Sequence, residues 1–87
     1  MQIIYSPQFK QEYRKLSDVI KRKAEKKEKI FRANPIDNQL KTHKLGGRFT
    51  GLWSFSIDYR YRIIFEFTED KKVIFHTIGD HSLYKKL

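Results

Sequence analysis

Along the chain, the spacing of apolar positions changes from helical to extended close to residue 50. The opening QIIY is a short β-branched run. Ser6 and Pro7 then read as a helix N-cap and first helical position, and Phe9, Tyr13 and Leu16 recur at helical spacing. Ser17-Asp18 punctuates the pattern before a second helix. Val19, Ile20, Ala24, Ile30 and Phe31 supply its apolar side, and Lys and Glu fill the other. Asn34-Pro35 predicts its end, because the residue before a proline avoids helical backbone.

A polar, basic loop with three glycines follows from Asn38 to Gly51. Beyond it the period becomes two. Trp53, Phe55 and Ile57 fall on one face of a predicted strand. In YRYRIIFEF, Tyr59, Tyr61, Ile63, Phe65 and Phe67 alternate with Arg60, Arg62, Ile64 and Glu66. TEDKK predicts a hairpin turn, and VIFHTI a third long strand ended by Gly79-Asp80. The order β-α-α-β-β-β predicts an α+β domain over residues 1–87. It is a small antiparallel sheet with an N-terminal helical hairpin on one face.

Charge narrows the class of partner. Nineteen Lys+Arg against ten Asp+Glu give a net charge of +9. A small domain this basic attracts polyanions: nucleic acid, an anionic membrane surface or an acidic protein. Cysteine is absent, which excludes disulfides, thiolate nucleophiles and cysteine metal sites. The start shows neither a basic n-region nor a long apolar run, so a cytoplasmic soluble protein is expected.

The basic residues form two groups. Those from Lys10 to Arg32 are interleaved with Glu12, Glu25 and Glu28 and read as a solvated helix face. Between Asn38 and Phe65 stand Lys41, Lys44, Arg48, Arg60 and Arg62, with Asp58 opposing. Arg60 and Arg62 are expected to share the open face of the sheet. There they either clamp phosphate through the guanidinium fork, solvate the face or meet an acidic partner. Of the three histidines, His43 lies in the basic loop, His76 within the last strand and His81 just past it. An imidazole can exchange protons near neutrality. A pairing of His76 with His81 on a metal has no evident third ligand. Trp53 reads as core, and Tyr84 as a base-stacking ring or a tail anchor.

The segments FTGLWSFSIDYRYRIIFEF and VIFHTIGDHSLYKKL resemble the RelE/ParE superfamily of type II toxins. The likeness spans most of the chain. The G-L-W-S strand is similar to the YoeB branch, and the G-D-H-S ending to the YafQ branch. The resemblance implies a metal-free, cofactor-free endoribonuclease that cuts messenger RNA in the ribosomal A site, with an antitoxin protein as partner. In such enzymes the 2′-hydroxyl attacks the adjacent phosphate and leaves a 2′,3′-cyclic phosphate.

Carried over position by position, the resemblance makes His43 the general base, Arg62 the phosphate ligand and His81 the general acid. Lys41, Lys44, Arg48, Arg60 and Tyr84 are the expected RNA-binding residues. Thr77 stands where YafQ-like toxins carry an arginine, and Arg60 where they carry an aspartate. Two other readings stay open. One is a ParE-like toxin that inhibits DNA gyrase without nuclease activity, and the other a basic nucleic-acid-binding module without chemistry.

Overall fold

A computed structural model describes residues 1–86; Leu87 lies outside them. Eight elements follow in order: β1 (Gln2–Tyr5), α1 (Pro7–Arg14), α2 (Asp18–Ala33), β2 (His43–Lys44), β3 (Trp53–Ser56), β4 (Arg62–Phe67), β5 (Lys72–Gly79) and α3 (Leu83–Lys86). Short 3-10 turns occupy Asn38–Leu40 and Gly47–Phe49.

The helix boundaries have local causes. Ser6 Oγ accepts the Phe9 N–H and Ser17 Oγ accepts the Ile20 N–H, so each helix opens on a serine cap worth about 1 kcal/mol. Asn34, held extended before Pro35, closes α2.

The five strands lie in the order β1-β5-β4-β3-β2. Neighbours run antiparallel except β1 and β5, which pair in parallel with Ile3 opposite Val73. The sheet is therefore mixed. The parallel pair arises because the helical hairpin returns the chain across one face before the meander is built, which leaves β1 beside the last strand. Phe9, Phe31, Phe55, Ile63, Phe65, Phe75 and Ile78 fill the space between sheet and helices. Phe31 anchors this core, stacked on Phe55 at 4.8 Å and edge-on to Phe65 at 4.9 Å.

A bulge interrupts the β4–β5 ladder. Phe65 faces Phe75, yet the preceding Ile64 faces Thr77, so His76 is the extra residue. Beyond Tyr5 the edge of β5 loses its strand partner, and α1 takes over. Ser6 donates its N–H to the Phe75 carbonyl and its hydroxyl to the His76 carbonyl. Glu12 Oε1 accepts the Thr77 hydroxyl at 2.5 Å and the Ile78 N–H at 3.1 Å. The ladder groups left over by the short first strand are thus satisfied by the Ser6 backbone and by the Ser6 and Glu12 side chains.

Two expectations change. Arg60 is not in a strand with Arg62. Asp58 Oδ1 accepts the N–H groups of both Arg60 and Tyr61, which folds 57–60 into a turn, and β4 begins at Arg62. Nor is the far face of the sheet bare. Ile64 is 0% exposed although it points away from the helices, and Leu83 of α3 is 1% exposed. No helix among the described residues is long and apolar enough to cross a membrane.

Candidate functional site

Residues on the face opposite the helices are fixed by the strand registers. Phe55, Ile63 and Ile78 form one cross-strand row inside the core. Their neighbours along each strand point the other way. His43 pairs with Ser54, and Ser54 with Ile64. Arg62 pairs with Ser56 on one side and with Gly79 on the other. His43, Ser54, Ser56 and Arg62 consequently share the face away from the helices. Two strand spacings and one side-chain repeat separate His43 from Arg62, about 12 Å between Cα atoms. His81 lies two residues past Gly79, at the end of the sheet where Arg62 starts β4.

The local chemistry of these groups differs. His43 is exposed, and its Nδ1 lies 3.0 Å from the Lys41 carbonyl oxygen. A carbonyl only accepts, so Nδ1 carries the proton and Nε2 of the neutral ring presents its lone pair. Lys41 holds the tight turn that makes this contact with a left-handed φ of 53°. Arg62 forms no ion pair among the described residues, and its Nε is buried without a hydrogen-bond partner. Ser54 Oγ, on the same face of the adjacent strand, is likewise buried and unpartnered. Burying polar atoms without partners is unfavourable, so these two are the least satisfied on this face.

His81 is exposed in the turn that leads into α3. Beside it, Asp80 accepts the Ser82 N–H at 2.9 Å and lies 3.8 Å from the Arg60 guanidinium. The bond from Ser82, with help from the charges of Arg60 and His81, holds the Asp80 carboxyl below its ordinary range. Arg60 also leans over the Tyr61 ring. Leu83 packs against Gly79, where an added Cβ would come within 2.8 Å of the Leu83 side chain. Glycine at that position therefore lets α3 lie close on β5.

The structure divides the expected RNA-binding set. Lys44 alternates with His43 and turns to the helix side, its ammonium 5.4 Å from the Trp53 ring. Arg48 is engaged in holding the C-terminal turn, donating from Nη2 to the Tyr84 carbonyl at 2.6 Å. The Tyr84 ring is half-buried against Phe49, 5.6 Å between centroids, so it anchors α3. Lys41 is exposed. His76 stands apart, its Nε2 2.6 Å from Glu66 Oε1. Thr77, at the place of a family arginine, is buried and committed to Glu12. Ser54 also shares this face, and as a serine alternating with apolar residues it carries no distinctive sequence signal.

A groove of about 560 Å³ lies on the helix side of the sheet, lined by Tyr5, Phe9, Tyr13, Glu25 and Glu28 among others. Burial, aided by the Glu28 carboxylate, raises the Tyr5 hydroxyl above its usual range. The Tyr5 and Tyr13 hydroxyls donate to Glu28 and Glu25, which closes that wall. Among the described residues no group of three or more His, Cys, Asp or Glu is placed to hold a metal ion.

Comparison with known proteins places this geometry. A search of curated proteins finds no match. Solved structures that share the fold at low sequence identity include three toxin structures. A YoeB/ParE toxin from Agrobacterium tumefaciens superposes with a TM-score of 0.79 at 15% identity, covering 93% of this chain and 99% of that one. YafQ from Escherichia coli gives 0.75 at 20% identity, covering 95% and 96%. The archaeal RelE of a RelE–RelB complex from Pyrococcus horikoshii gives 0.73 at 19% identity, covering 91% and 92%. A family model described as the ParE toxin of the type II toxin–antitoxin system parDE matches residues 3–83. With its mixed five-stranded sheet under a helical hairpin, the chain belongs to this ParE toxin family, within the RelE/ParE superfamily of type II toxins.

Proposed function

We propose that the protein is a ribonuclease toxin that cleaves messenger RNA held in the ribosomal A site and is neutralised by a cognate antitoxin. One observation carries the reading. His43, with Nε2 left as an acceptor, shares a sheet face with the unpaired Arg62, whose strand partner Gly79 lies two residues before His81. A base, a phosphate-binding cation and an acid are the groups that metal-free transesterification of RNA requires.

In this reading His43 Nε2 takes the proton of the 2′-hydroxyl as that oxygen attacks the adjacent phosphorus. Arg62 binds the non-bridging oxygens, where charge accumulates on the pentacoordinate phosphorus. His81, as imidazolium, gives its proton to the departing 5′-oxygen. The products are a 2′,3′-cyclic phosphate and a 5′-hydroxyl, and no metal or cofactor enters. The ribosome supplies part of the geometry by holding the codon, so the protein acts in the cytoplasm. A solved neighbour that shares the fold is a RelE–RelB complex, which supports a protein partner here.

The test is primer-extension mapping on programmed ribosomes. Cuts at A-site codons that vanish in His81→Ala support the reading. Folded wild type that arrests growth and makes no cuts overturns it.

A second reading keeps the fold and drops the nuclease. Because the matching family model is that of a ParE toxin, inhibition of DNA gyrase is the alternative. A supercoiling assay with purified gyrase separates the two: inhibition that survives His81→Ala favours it.

A further inference from the structure

The turn between β3 and β4 holds an aromatic ring that the fold does not use. Tyr59 is 89% exposed, more than any other large apolar or aromatic side chain among the described residues. Its backbone is nevertheless fixed. The Ile57 and Asp58 N–H groups both donate to the Tyr61 carbonyl, at 2.9 and 3.3 Å. Asp58 Oδ1 accepts the Arg60 and Tyr61 N–H groups at 2.9 and 2.7 Å, and its Oδ2 is 3.3 Å from Lys23 Nζ. Ile57, 2% exposed, roots the turn in the core. An exposed tyrosine on so fixed a turn has only its two side-chain torsions left to order when something docks on it.

The surroundings indicate what docks. The turn rises from the end of the sheet where Arg62 pairs with Gly79, and Arg60 spans from it to Asp80, next to His81. Two carboxylates border this end of the sheet, Asp58 and Asp80, and they are paired with Lys23 and Arg60. Arg62 has no ion pair among the described residues, so positive charge there is unspent. An exposed ring three residues before that guanidinium along the chain suits a nucleotide, which offers a base face and a phosphate together.

We propose that Tyr59 is a stacking platform for a nucleobase next to the scissile phosphate and helps set which bases the toxin accepts beside the cut. This rests on the ribonuclease reading of Arg62 and His81. Stacking tolerates every base but favours purines, whose larger π-face overlaps the ring better. Single-base stacking on an aromatic side chain corresponds to an affinity change of about five- to a hundredfold.

The experiment uses the cleavage-deficient His81→Ala protein and a short RNA carrying 2-aminopurine on either side of the target phosphate. Binding is read as fluorescence quenching at one labelled position. Added Tyr59→Ala is expected to abolish that quenching and weaken binding about tenfold, and Tyr59→Phe to restore both. Unchanged quenching and affinity in Tyr59→Ala would overturn the proposal, as would a loss that Tyr59→Phe fails to restore. Unaltered RNA binding with weakened antitoxin binding would assign the ring to a protein partner and also overturn it. Binding is scored without cleavage, so a failure of the nuclease reading appears separately, as uncut message on programmed ribosomes with His81 intact.

Discussion

Arg62 and Gly79 stand opposite each other on neighbouring strands, and this one pairing ties the phosphate-binding candidate to the acid candidate. His81 follows two residues after Gly79, in a turn stiffened by the bond from Ser82 to Asp80. The separation of guanidinium and imidazole is thus set by a strand register rather than by a flexible loop.

Replacing Arg62 should therefore separate chemistry from stability. Its Nε is buried without a partner and it holds no ion pair among the described residues. Arg62→Lys is expected to change the unfolding free energy by less than about 1 kcal/mol. Cleavage should fall about a hundredfold, because an ammonium lacks the fork that meets two phosphate oxygens. Urea titration and primer extension on the same preparation check both halves.

The base can be exchanged for a different one. A carboxylate stays deprotonated to lower pH than an imidazole. His43→Glu should retain cleavage and move the acid-side fall of the rate to lower pH, while the alkaline side stays in place. A pH profile of single-turnover cleavage reads this. Identical acid limbs in the two proteins would remove His43 from the base role.

Glu12→Ala should be costly without touching the site. It leaves the Ile78 N–H and the Thr77 hydroxyl without their acceptor at a buried edge. A loss of about 1–3 kcal/mol is expected in chemical denaturation. Glu12→Gln, which keeps an acceptor oxygen, should recover part of it.

Acid should reach the β3–β4 turn late. Burial works to raise the Asp58 carboxyl, but the N–H groups of Tyr61 and Arg60 and the Lys23 ammonium prevail and hold it below its ordinary value of 3.8. A carboxyl lowered on folding stabilises the native state above its unfolded value, and this stabilisation is lost as pH falls through the native one. The stability gap between wild type and Asp58→Ala should hold from neutrality to about pH 4 and close below it. Denaturation midpoints measured across that range give the answer.

Gly79→Ala tests the seating of α3. The new methyl meets the Leu83 side chain at 2.8 Å, so Leu83, or the segment that carries it, must give way. A destabilisation of about 1 kcal/mol is expected, with a larger proportional loss of cleavage because His81 lies in the segment that moves. Equal losses in the two measurements would dissociate α3 from the site.

Much of the frame was legible in the residues. The serine caps at Ser6 and Ser17, the stop at Asn34-Pro35 and the alternation from Trp53 onward are local signals, and the structure bears them out. What stayed hidden is non-local. Nothing near Gln2–Tyr5 states that it pairs with a strand seventy positions away, or in which direction. His43–Lys44 is too short for a period to show, yet it sends the two side chains to opposite faces. Arg60 left the strand because the Asp58 side chain captured its N–H, a competition that alternation alone cannot reveal. Ile64 looked outward and is nevertheless buried.

The parallel pairing of β1 with β5 also governs when the chain can complete its sheet. Ser6 bonds to backbone groups at Phe75 and His76, so the sheet closes across a loop of about seventy residues. Loop closure on that scale makes assembly late compared with formation of either helix. A nascent chain lacking β5 has no partner strand for Arg62 on that side and no His81. On the ribonuclease reading, an incomplete chain therefore lacks the full set of site residues by topology alone.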